Sequence, residues 1–151
     1  PIKETPEQRE VGLLAIQAKE TFDALPPIEK KRVKAALAYD KARYFRWHDA
    51  GDVQDQQHLN KIFEICRLTP DTRHWLPTRE AWIKDHLASK PDNLVIRFSP
   101  PMVGQRNDSW PNSSMVVESG ATCPAPSQGG KCGDCRQCWD GDVKVVSYGK
   151  H

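Results

Sequence analysis

Four of the five cysteines fall within sixteen residues: Cys123, Cys132, Cys135 and Cys138, spaced C-x8-C-x2-C-x2-C. Thiolates are soft ligands that suit zinc or the irons of an iron–sulfur cluster. Two-residue gaps, with Gly133 in the first of them, let the backbone curl so that successive sulfurs face one centre. Pro124 and Pro126 stiffen the approach, and Gly129 and Gly130 supply a turn at little steric cost. The segment therefore reads as a metal site. Zinc sites commonly bring two separated CxxC pairs. The compact triplet here is closer to the ligand run of [4Fe–4S] ferredoxins, which favours iron–sulfur and leaves zinc open. Disulfides are the competing use. Three cysteines within seven residues would form strained loops if paired with one another, and a total of five leaves one over.

A second group of polar residues sits at or just past the ends of three apolar runs. The first run carries Arg46, His48, Asp49 and Asp52, the second Thr78, Arg79 and Glu80, and the third Arg97 and Ser99. If these runs are parallel strands, their carboxyl ends are where a small molecule would bind. His48, Asp49, Asp52, Arg79 and Arg97 are the candidate catalytic residues. A histidine beside carboxylates suits acid–base work, and arginine forks suit carboxylate or phosphate. Arg46, Thr78, Glu80 and Ser99 are the candidate cofactor contacts. The competing use is an internal ion-pair network that serves packing alone.

The elements that must position these groups follow from periodicity. Thr5, Pro6 and Gln8 mark a helix start, and Leu13, Leu14, Ala18 and Phe22 give the helix an apolar face. A basic helix is expected over 28–40, with Lys30, Lys31 and Arg32 as a solvated face. Residues 42–48 alternate and are aromatic, so they read as a strand. From Asp55 a helix resumes, with Leu59, Ile62, Phe63 and Cys66 at i, i+3, i+4 and i+7. Cys66 is on that ground a core residue. Further strands are expected at 73–78, 94–99, 115–117 and 143–146, a helix at 79–87, and a loop over 101–114. Alternating strands and helices mean βαβ units and a mostly parallel sheet. The fold class is therefore α/β, as a partial (β/α) barrel or an open sheet. The expected layout is one domain over 1–151, with a helical region at 1–40, a βα core at 41–118 and a cysteine-rich metal-binding tail at 119–151.

Composition narrows the partners. The 22 basic and 20 acidic residues give a net charge of +2, which does not advertise nucleic acid. No apolar run reaches the length of a membrane span. The sequence opens at Pro1 with no signal-peptide pattern, so a reducing, cytoplasmic setting is expected, as is a processed or longer parent chain.

Several stretches resemble a family of phage and plasmid proteins, the gene-product-eighty-eight-like proteins. They are 46–52 (Arg-Trp-His-Asp-Ala-Gly-Asp), 55–68, 74–80, 93–99, 122–126 and 131–139, so the resemblance covers roughly residues 40–151. It is more distantly similar to phage proteins related to radical S-adenosylmethionine enzymes. That implies a partial (β/α) barrel, a [4Fe–4S] cluster, S-adenosylmethionine as a further cofactor, and host cytoplasm as the location. Two features depart from that pattern. Residues 1–65 contain no cysteine, where the family usually has a further Cys-rich segment, and there is no CxxxCxxC. Three functions are carried forward: a redox or radical iron–sulfur enzyme, a zinc-stabilised protein binding nucleic acid or protein through Lys131, Arg136, Lys144 and Lys150, and a phage structural or assembly component.

Overall fold

A computed structural model describes residues 16, 17 and 19–150, with backbone alone at 36–42. The helix start at Thr5, and Leu13, Leu14 and Ala18 with it, lie outside the described residues; 19–23 are helical as expected. The basic helix α1 spans Pro27–Ala42. Five strands follow: β1 Tyr44–Arg46, β2 Arg73–Thr78, β3 Leu94–Phe98, β4 Ser113–Val117 and β5 Val145–Gly149. All pairings are parallel and the spatial order is the chain order, giving one curled half-barrel sheet. The α/β parallel architecture expected from the sequence is thus present.

The connections explain the shape. Helix α2, Gln56–Leu68, joins β1 to β2. Asp55 caps it by accepting from the His58 amide at 2.7 Å, and Leu59, Ile62, Phe63 and Cys66 are its buried face. Asn93 closes its other end, since its side-chain amide donates to the carbonyls of Cys66, Thr69 and Thr72. The helix expected at 79–87 is a 3-10 helix over Ala81–Ser89. Nine residues cover about 18 Å as a 3-10 helix and about 13 Å as an α-helix, so the stretched form suits a short return along the sheet.

β1 is shorter than 42–48. Trp47 extends the pairing by one bond to the Trp75 carbonyl, 2.9 Å. His48 then turns to φ +58°, which ends the extended run.

Strand alternation divides the side chains between two faces. One face carries Leu76, Leu94, Ile96 and Phe98, packed on α2 and Ile83 as the main core. The other carries Arg46, Trp75, Val95, Arg97, Ser114, Val146 and Tyr148, given the registers Arg46↔Trp75, Trp75↔Val95, Pro77↔Arg97 and Ser114↔Val146. A second cluster of Trp75, Cys138 and Val146, flanked by Trp139, Val143 and Tyr148, lies there. The cysteine segment between β4 and β5 therefore covers the face opposite α2.

Candidate metal centre

Each end of the cysteine segment is tied to the sheet. The Cys123 amide donates to the Ser147 carbonyl on β5 at 3.0 Å, while Thr122 and Ser147 exchange side-chain bonds with each other's amides. Between the first and second cysteines, a short 3-10 turn at Ala125–Gln128 ends in Gly129 and Gly130, both at positive φ. The Gln128 amide then donates to the carbonyls of Lys131 and Cys132, 3.0 Å each. Gly133 is at φ +56°, and a Cβ there would lie 3.3 Å from Gln128 Nε2. The turn between Cys132 and Cys135 thus needs glycine on both counts.

The last cysteine is held from below. Arg97 is fully buried, and its guanidinium is wrapped by main-chain carbonyls. Nε donates to Cys138 at 3.0 Å, Nη1 to Val143 at 2.7 Å, and Nη2 to Gln137 at 2.8 Å and Asp140 at 2.7 Å. Ser113 and Lys144 carbonyls lie 3.4 and 3.5 Å from Nη1. Asn112 supports the same loop through Gly141 and Val143. Trp139 Nε1 reaches back to the Phe45 carbonyl on β1 at 3.0 Å, and its ring meets Trp75 and Tyr44 edge-on.

These ties bring Cys123, Cys132, Cys135 and Cys138 around one pocket, with Pro124, Gln137, Trp139 and Val146 completing the lining. Cys132 is exposed and Cys138 is buried. Among the described residues, no group of three or more His, Cys, Asp or Glu side chains meets metal-binding geometry. The chemistry of the surroundings nevertheless suits a sulfur-held metal. The lining is free of carboxylates, the Cys138 sulfur is 3.1 Å from the Tyr148 hydroxyl, and Arg97 places a cation beneath it. Burial pushes the Cys138 thiol up to about 11, against the lowering effects of Tyr148 and Arg97. Burial also raises Cys123. Burial raises the Tyr148 phenol, which therefore stays protonated and is the donor to a deprotonated Cys138. Such thiols ionise at neutral pH on metal binding, with proton release.

The polar residues at the strand ends make several separate local contacts. Asp52 is a clasp. Its Oδ1 accepts from Thr78 Oγ1 at 2.6 Å and the Val53 amide at 2.7 Å, and its Oδ2 from the Arg79 amide at 2.7 Å. The Glu80 amide donates to Thr78 Oγ1, and Glu80 Oε2 accepts from Trp82 Nε1. Ser99 pairs with Ser114 across β3 and β4 at 2.6 Å. Arg97, expected to line a pocket at the strand ends, turns its Nε, Nη1 and Nη2 donors to backbone carbonyls. Arg46 lies over the Trp75 ring at 5.0 Å, on the face the cysteines share. Asp49 and Arg79 are exposed. His48 meets His58 edge-on at 5.4 Å, and its Nε2 is buried without a hydrogen-bond partner.

Of the basic residues expected around the metal, Arg136 donates to the carbonyls of Gly133 and Cys135 and lies over Tyr44, while Lys131, Lys144 and Lys150 are exposed, Lys150 beside Glu118. Two contributors to the cysteine site escaped the sequence reading, Trp75 and Tyr148. Trp75 shares a face with Arg97 by strand alternation, a signal available once the registers are known. Tyr148 lies ten residues past Cys138, and nothing in the spacing links them.

No curated protein and no solved structure matches the chain. A phage-type family does match, over residues 21–141, and it takes in β1 to β4 and all four clustered cysteines. The chain belongs to the Gene product 88 family.

Proposed function

We propose that this protein holds an iron–sulfur cluster through Cys123, Cys132, Cys135 and Cys138 on the face of its half-barrel opposite α2, and that the centre serves electron transfer. The observation that carries the reading is the shared pocket. Four cysteines spread over sixteen residues line it together, above a buried cation and beside a protonated phenol. A cluster there would supply a one-electron couple. The protein's own residues would exclude water through Trp139 and Val146, and donate to sulfur through Tyr148.

Four thiolates close the coordination shell, whereas metal sites that act on substrate keep a position open. An S-adenosylmethionine-dependent radical reaction, the finer expectation from the resemblance, would need one thiolate to leave. Cys132, the exposed one, is the candidate. Zinc is the second reading, favoured by one observation. The free space between the side chains is about 20 Å3, room for about one water-sized atom, which suits a lone ion. In that case the protein is a zinc-stapled binding or assembly component of a phage.

Elemental analysis with a visible spectrum, on protein purified without oxygen, separates the two. The proposal predicts about four irons with matching sulfide per chain and brown colour. About one zinc and no colour would replace it with the staple.

A further inference from the structure

Arg97 carries an unbalanced charge. It is 0 % exposed, and an arginine cannot shed its proton in a protein. Among the described residues no carboxylate stands within ion-pair distance of it; its partners are neutral carbonyls. An unpaired buried ion is costly, and proteins normally supply an opposite charge. Trp75 adds to the imbalance on the same face. Its Nε1–H is buried with no acceptor, and its ring packs in the cluster that contains Cys138. A donor without an acceptor and a cation without an ion pair, its charge felt by Cys138 and Tyr148 as well as by the Asp140 carboxylate, describe surroundings that favour negative charge on sulfur.

We infer that Arg97 is the buried counter-charge of an anionic thiolate centre, and that it sets how tightly the centre holds its metal. The inference rests on the metal reading above. Four thiolates around a divalent ion or a cluster carry net negative charge, and Arg97 is a cation bonded to the Cys138 carbonyl whose charge is felt at that residue's thiol. It is a positioning residue, acting on the metal through Cys138.

The test uses the full chain and cobalt(II) as the probe, titrated without oxygen and read by the thiolate-to-cobalt absorption. Arg97→Met removes the charge, and Arg97→Lys keeps it while losing most of the carbonyl bonds. Arg97→Met is expected to weaken cobalt binding by about tenfold or more, with Arg97→Lys recovering most of the loss. Equal weakening in both variants would overturn the inference and leave Arg97 as a purely geometric support.

A second measurement needs neither Arg97 variant nor a metal. In the metal-free chain, Cys138→Asp places a carboxylate beside Arg97 and Cys138→Asn a neutral side chain of the same shape. The inference expects the Asp variant to melt at the higher temperature at neutral pH, although burying a carboxylate ordinarily destabilises. A lower melting temperature for Asp contradicts it. Absence of thiolate-bound cobalt in the wild type would instead sink the metal reading, and the Asp and Asn pair then shows whether Arg97 seeks an anion at all.

Discussion

Cys66 and Cys138 are both buried thiols, and the two differ in what surrounds them. Cys66 sits in the α2 core, where burial lifts its thiol to about 11 from 9.0. Cys138 has Tyr148 at its sulfur and Arg97 at its carbonyl. Burial at Cys66 outweighs the lowering effects of Trp47, Arg67 and Lys90 and favours the neutral thiol, and that has a pH consequence. Above pH 9 the unfolded chain has released this proton, while the native chain keeps it until about 11. The native state therefore binds more protons in that window. The contribution is complete below pH 9 and is lost as pH rises towards 11. Metal-free protein is expected to lose melting temperature between pH 9 and 11 more steeply than its Cys66→Val variant. Parallel slopes for the two would show that the thiol is not held neutral. The core role of Cys66 was legible from its i, i+7 spacing to Leu59. The role of Arg97 was not, because an arginine near a strand end reads the same whether its fork meets a ligand or a carbonyl.

The connecting elements carry the next level of the account. The loop from β1 to α2 was expected to bring acid–base groups to a pocket, and it instead fastens itself to the end of β2 through Asp52. Removing that carboxylate leaves the Thr78 hydroxyl and the Val53 and Arg79 amides without their acceptor. Asp52→Ala is expected to cost about 1–3 kcal/mol, read as a lower urea midpoint, with metal content unchanged. Loss of metal at unchanged stability would restore Asp52 to the functional site. Turn chemistry was the readable part of these connections: Asp55, Gly129, Gly130 and Gly133 each announced a cap or turn that is present. Side-chain clasps such as Asp52 with Thr78 join residues 26 apart and leave no periodic trace. The 3-10 form of Ala81–Ser89 was equally hidden, since its apolar residues fit a single α-helical turn as well.

At the scale of the molecule, two layers sit on one parallel sheet. Helix α2 and the 3-10 helix at Ala81–Ser89 pack on one face and the cysteine segment on the other. The sheet was legible because strands alternating with helices leave few parallel topologies open. The placement of the second layer was not. It depends on bonds such as Arg97 to Cys138 and Trp139 to Phe45, which span 41 and 94 residues and follow no local pattern. That placement sets the four cysteines beside a buried cation and the Trp139 ring, and it is what makes a metal centre the central claim. The most direct test is X-ray absorption at the edge of whatever metal co-purifies with the full chain without oxygen. The account predicts a shell of sulfur alone, with about four neighbours at about 2.3 Å. A shell of nitrogen or oxygen, or protein that carries no metal at all, would contradict it.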